Sequence, residues 1–281
     1  MPLTARSTGP LLRGLVDDAA LFPPGNAPMA EGLAEHARYR AAGWSAAVGP
    51  FLCPSSRVDE LLAALPAGQE LRLSLVVDEV PGVHRAMQAV TEDPRVALVG
   101  LEAAHARLGD SAAAVGRNLA RHDGLTGYLE VARDDLAAGL ALVAAGGWRA
   151  AKLRTGGATA DAHPDEGELA AFVLTCVERG LPFKLTAGLH DAVRGTSSEG
   201  FEQHGVLNVL VAVRRSQAGS PAAEVAGVLG GRDGERLADE VRAWSDDEAA
   251  AVRATFLSFG CCGVTDPLGD LADLGLLEDY A

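Results

Sequence analysis

Only two of the chain's 24 Lys and Arg side chains are lysines, Lys152 and Lys184. They stand in matching settings, KLRTG at 152–156 and KLTAG at 184–188, each after a short apolar stretch and each running into glycine. Arginine stays protonated in a protein, so a position reserved for lysine points to chemistry of the amine. A lysine whose pKa is lowered by a second cation or an apolar pocket can attack a carbonyl and form a Schiff base. The iminium then serves as an electron sink for making or breaking C–C bonds. Lys152 is the expected nucleophile and Lys184 the neighbour that lowers its pKa. Such chemistry needs a carboxylate to relay protons, and Glu130 and Glu102 are the candidates. The same four residues would also fit a buried ion network without catalysis.

Further polar residues fall where strands are expected to end: Asp17, Asp18, Asp78 and Ser258, besides the four above. Asp78, Glu102 and Glu130 end three successive strands. They offer an alternative, a hard divalent cation with a lysine as base for enolisation. Gly156, Gly157, Gly188 and Gly260 follow the last three strands. Together with Arg154, Thr155, His190 and Ser258 they could bind substrate or phosphate through free backbone N–H groups. Tight turns alone would also call for those glycines. No HExxH or Cys/His cluster is present, so the main reading assigns no metal and no cofactor. The four cysteines, Cys53, Cys176, Cys261 and Cys262, lack metal-type spacing and read as free thiols.

These residues need a scaffold that brings strand ends together. Apolar runs recur at 14–22, 45–52, 71–77, 95–102, 125–131, 148–154 and 182–188, with amphipathic helical segments between them. Most are continuously apolar, as parallel strands covered on both faces must be. Their starts lie roughly 20 to 35 residues apart, the size of one βα unit. The expectation is one α/β domain over 1–281, a (β/α)8 TIM barrel with an irregular insertion near 195–250. The eighth strand is either 206–213, which reads equally as a buried helix, or 256–260. Ser245 and Glu248 form a capping box that opens a helix at 246.

The net charge of −14 and pI near 4.9 disfavour nucleic acid and anionic membranes as partners. No apolar run is long enough to span a bilayer, and MPLTARSTGP lacks a signal core. The expectation is a cytoplasmic homo-oligomer acting on a small-molecule substrate, with a metabolite-binding barrel without catalysis as a further alternative.

The order of strand ends resembles deoxyribose-phosphate aldolase and its class I aldolase relatives. KLRTG resembles that family's Schiff-base lysine motif on strand 6, and KLTAGLH its second lysine on strand 7. LVDDAALFPP is similar to the first strand and its turn, YLEV to the fifth, and LSFGCCGV to the phosphate turn after the eighth. The resemblance implies a (β/α)8 barrel with Lys152 as the imine-forming residue. Three departures stand out, one being that the 195–250 excursion has no counterpart in a compact aldolase. The early strand-4 position that carries the family's catalytic aspartate is apolar in VALVGLE, where the nearest acid is Glu102. Cysteine also replaces serine in the final turn.

Overall fold

Strands that are apolar on both faces need two covers, and a barrel supplies them: its own interior and a ring of helices. The computed structural model describes residues 9–278. Eight parallel strands close on themselves: β1 Val16–Asp18, β2 Val48–Pro54, β3 Leu71–Val77, β4 Val96–Ala104, β5 Thr126–Glu130, β6 Ala150–Arg154, β7 Phe183–Thr186 and β8 Phe256–Cys261. Each strand pairs with the next in sequence, and β8 returns to β1. This is the expected TIM barrel.

Helices follow the strands in turn, among them Met29–Ala41 after β1, Leu136–Gly146 after β5 and Glu166–Glu178 after β6. Alternation along β7 shows how the two covers are filled. Phe183 packs edge-on against Phe172 of the Glu166–Glu178 helix, while the next residue, Lys184, takes the opposite face. Asp165 caps that helix, in a reciprocal capping box with Glu168.

The eighth strand is 256–261, and the competing run at 206–213 lies within a helix, Val206–Gln217, buried along most of its length. Asn208 inside that run is satisfied on every side. Its Nδ2 donates to the carbonyls of Val228 and Gly231, and its Oδ1 accepts from the Arg194 N–H. A helix stitched to three segments can carry this amide, whereas a barrel strand has no such partners for it.

The 195–250 excursion is more regular than expected. It carries a two-residue antiparallel pair, Gly195–Thr196 with Glu202–Gln203, and then four helices. The last of these opens at Ser245 with the capping box read from sequence. The first apolar run shortens instead. Only Val16–Asp18 is strand, because Asp18 turns the chain: its Oδ1 accepts from the Ala20 N–H and its Oδ2 lies 2.9 Å from His36 Nδ1. Among the described residues, no helix is long and apolar enough to cross a membrane.

Candidate active site

In-register residues of a parallel ladder point to the same face, so pairing decides what meets inside the barrel. Lys152 pairs with Glu130 on one side and Lys184 on the other, and Lys184 pairs with Ser258. All four face inward. Glu102 of β4 reaches across and lies between the two lysines, with Oε1 2.7 Å from Lys184 Nζ and Oε2 3.0 Å from Lys152 Nζ. Beyond Lys184 stands Asp17 of β1, 2.5 Å away, and beyond Lys152 stands Glu130, at 3.1 Å. Arg154 closes the series, 3.3 Å from Glu130. The result is a row of alternating charge, Asp17, Lys184, Glu102, Lys152, Glu130, Arg154, running from the barrel interior out to its mouth.

Neutral groups finish the coordination. Ser258 donates to Asp17 Oδ2 at 2.8 Å, and Ser74 donates to Glu102 Oε1 at 3.0 Å. The Tyr128 ring centroid lies 5.0 Å from the Lys184 ammonium, within cation–π range. Glycines on neighbouring strands make room for the carboxylate and hydroxyl: a Cβ on Gly49 would collide with Asp17 Oδ1, and one on Gly100 with Ser74 Oγ.

The electrostatics follow from burial set against these contacts. Burial disfavours an ionised Glu102, but the attraction of Lys184 and Lys152 outweighs it and holds the carboxyl down to about 2. Burial would also neutralise Lys184, and the attraction of Asp17 and Glu102 reverses that and raises its pKa. Asp17 has one lysine where Glu102 has two, so burial prevails and its pKa rises. Glu130 lies below the usual carboxylate range, since Lys152 and Arg154 together overcome its burial. Lys184 and Glu102 are thus the firmly ionised centre, and Asp17 is the weaker acid.

The two lysines differ in access. Lys184 is sealed, with no exposed surface, whereas Lys152 sits on the floor of a pocket of about 970 Å³ at the C-terminal ends of the strands. Glu102, Glu130, Arg154, Gly157, Gly188, His190 and Gly260 line the same pocket. No protein-family model and no curated protein matches this chain.

Three residues assigned to substrate or phosphate binding lie elsewhere. Thr155 is buried and spends its hydroxyl on the Ala187 carbonyl, at 2.5 Å. Gly156 packs backbone to backbone against Gly188, where a Cβ on either would strike the other loop. Ser258 points into the barrel interior at Asp17. Close approach of the two loops, rather than a phosphate, explains this glycine pair. Ala187 between them takes a left-handed backbone, φ +57°, that a Cβ disfavours. Its carbonyl is held by Thr155.

The carboxylate triad of the metal alternative does not assemble. Asp78 is occupied by the hydroxyls of Ser55 and Ser56 and by the Ser56 N–H. Among the described residues, no three His, Cys, Asp or Glu side chains are grouped so as to hold a metal ion. The lysines are likewise bridged by Glu102 rather than set against each other as neighbouring cations.

Asp17, Ser74 and Tyr128 complete the network, yet sequence reading placed only Asp17 at a strand end and gave it no part in the site. The signal for the others was the two-residue alternation of a barrel interior. Tyr128 lies two positions before Glu130 on β5, and Ser74 lies two before Val76, the register partner of Glu102.

Proposed function

We propose that the protein is a Schiff-base-forming lyase or aldolase that acts on a small carbonyl compound through Lys152. One observation carries this reading: Lys152 is the lysine on the pocket floor, with Glu102 at 3.0 Å and Glu130 at 3.1 Å, while Lys184 is enclosed beneath it. The class I aldolase resemblance supports the same assignment.

In the proposed reaction Glu130 takes one proton from the Lys152 ammonium and frees the amine. The amine adds to the carbonyl carbon, and a second proton moves from nitrogen to the new alkoxide. Glu130 returns its proton to the hydroxyl, water leaves, and an iminium forms. Protons balance: one ammonium and one carbonyl give one iminium and one water. Glu130, now a carboxylate again, removes the proton from a substrate hydroxyl as the C–C bond breaks towards the iminium. Lys184 acts through Glu102 as a positioning residue, fixing the carboxylate that faces Lys152.

Borohydride trapping tests this directly. The protein is incubated with a panel of aldehydes and 2-keto acids, reduced, and read by intact mass and peptide mapping. A reduced adduct on Lys152, absent from Lys152→Arg, is expected. Absence of any Lys152 adduct across the panel refutes the proposal.

A further inference from the structure

The mouth pocket is divided in two. Its β5–β8 side carries Lys152, Glu130, Arg154, Thr186 and His190. Its β1–β4 side is built from Leu21, Phe22, Leu52, Val76, Val77 and Ala104. Charged groups on the rim of that second side are held by their neighbours. Arg57 binds Glu60 through two nitrogens, Asp78 is occupied by Ser55 and Ser56, and Arg107 donates to the Asp78 carbonyl. Arg107 keeps its charge at the exposed rim, but the wall residues themselves offer only side-chain carbon to a substrate arm, and Glu102 at the wall's inner edge is taken up by the two lysines.

Size points the same way. About 970 Å³ is at the upper end of the roughly 300–1,000 Å³ typical of ligand sites. A carbonyl compound of three or four carbons would fill little of it. The loop positions that would cradle a phosphate are used differently, with Thr155 bonded to Ala187 and Gly156 packed on Gly188.

The geometry points to a substrate whose carbonyl reaches Lys152 and whose other end is a hydrocarbon arm, alkyl or aryl, lying against the β1–β4 wall, rather than a phosphorylated sugar. This substrate class rests on the Schiff-base reading for the carbonyl end only. The arm is an inference about the wall.

The test measures half-saturating concentrations for borohydride trapping of straight-chain aldehydes from propanal to hexanal, with glyceraldehyde and glycolaldehyde phosphate alongside. Lys152→Arg supplies the background. Burial of each methylene is expected to lower the half-saturating concentration about fourfold. Phe22 and Val76 are only half-buried and line the wall. Phe22→Ala and Val76→Asn are each expected to raise the hexanal value about tenfold and leave the propanal value within about twofold. A series flat in chain length, or tighter trapping of the phosphorylated aldehyde, overturns the inference.

Calorimetric titration with hexanamide and with glycerol 3-phosphate separates the two ideas, because neither forms an imine. If trapping fails but hexanamide binds and glycerol 3-phosphate does not, the Schiff-base reading falls and the apolar arm stands. If hexanamide does not bind, the apolar arm falls, whatever the trapping shows.

Discussion

Replacing Lys184 with Met keeps the unbranched stem of the side chain and removes the ammonium. In the wild type that charge is fully enclosed, 2.5 Å from Asp17 and 2.7 Å from Glu102. The variant leaves Asp17 with Ser258 alone and Glu102 with Lys152 and Ser74. Removing one partner of a buried ion pair costs about 3–5 kcal/mol. The carboxyl of Glu102 gives a second measure. It is held at about 2 against an ordinary 4.5, a gap worth about 3 kcal/mol, shared between two lysines. At about 3 kcal/mol per molar urea, the unfolding midpoint should fall by about 1–2 M at pH 7. The fluorescence of Trp148 and Trp244, both buried, reports the transition. The pH dependence fixes the cause. Asp17, left buried without its lysine, has its pKa raised further, so the variant recovers stability as the pH falls from 7 to 5 and this carboxyl takes up a proton. Wild-type Glu102 keeps its contribution over that range, so the gap between the two proteins should narrow. A midpoint within about 0.3 M of wild type at pH 7, or a gap that widens on acidification, would refute the ionised network.

Three further outcomes are expected. Because the folded pKa of Glu102 is depressed, its contribution to wild-type stability is present above about pH 4.5 and is lost as the pH falls towards about 2. The raised pKa of Asp17 acts in the opposite sense and offsets part of that loss. Urea midpoints at pH 6, 4.5 and 3 should therefore drop mainly in the lower interval, and a flat profile would count against the assignment. Gly49→Ala drives a methyl into Asp17 and should cost about 3 kcal/mol in the same assay, whereas an effect below about 0.5 would mean that Asp17 moves aside freely. Ser245→Ala removes the hydroxyl that caps the Asp246–Thr255 helix and should cost about 1 kcal/mol, with no change in any trapping at Lys152.

The barrel was legible because its strands needed no tertiary information to show themselves. Runs such as AVGPFLC at 47–53 and VALVGL at 96–101 are apolar without alternation, and the spacing of the runs leaves room for one helix each. The run at 206–213 was ambiguous for the same reason, since a helix buried all round and a strand buried on both faces share one composition. Asn208 decided it only once its three partners were in place. The lysine pair and its two glutamates were named from residue type and strand-end position; registry aligns the lysines with Glu130, and Glu102 joins them from β4. What lay beyond reach was order. No local pattern says that Glu102 falls between the lysines, because that depends on β4 reaching across to β6 and β7. The glycines after β6 and β7 misled for a related reason. Free N–H groups and a close backbone crossing ask for the same residue, and Thr155 and Gly188 showed which was at work.

The alternating row of charge carries one more consequence. In the proposed reaction Lys152 starts as an ammonium and becomes an iminium, so its position is positive before and after the substrate is captured. Each neighbour keeps its sign as well. The resting protein has already arranged the field that the covalent intermediate needs, and no dipole or side chain must reorient to receive it. The work of assembling that field falls on folding, in lining up six charges that cancel in sum, four of them buried and the Arg154 end exposed at the mouth. It is not spent again in each turnover.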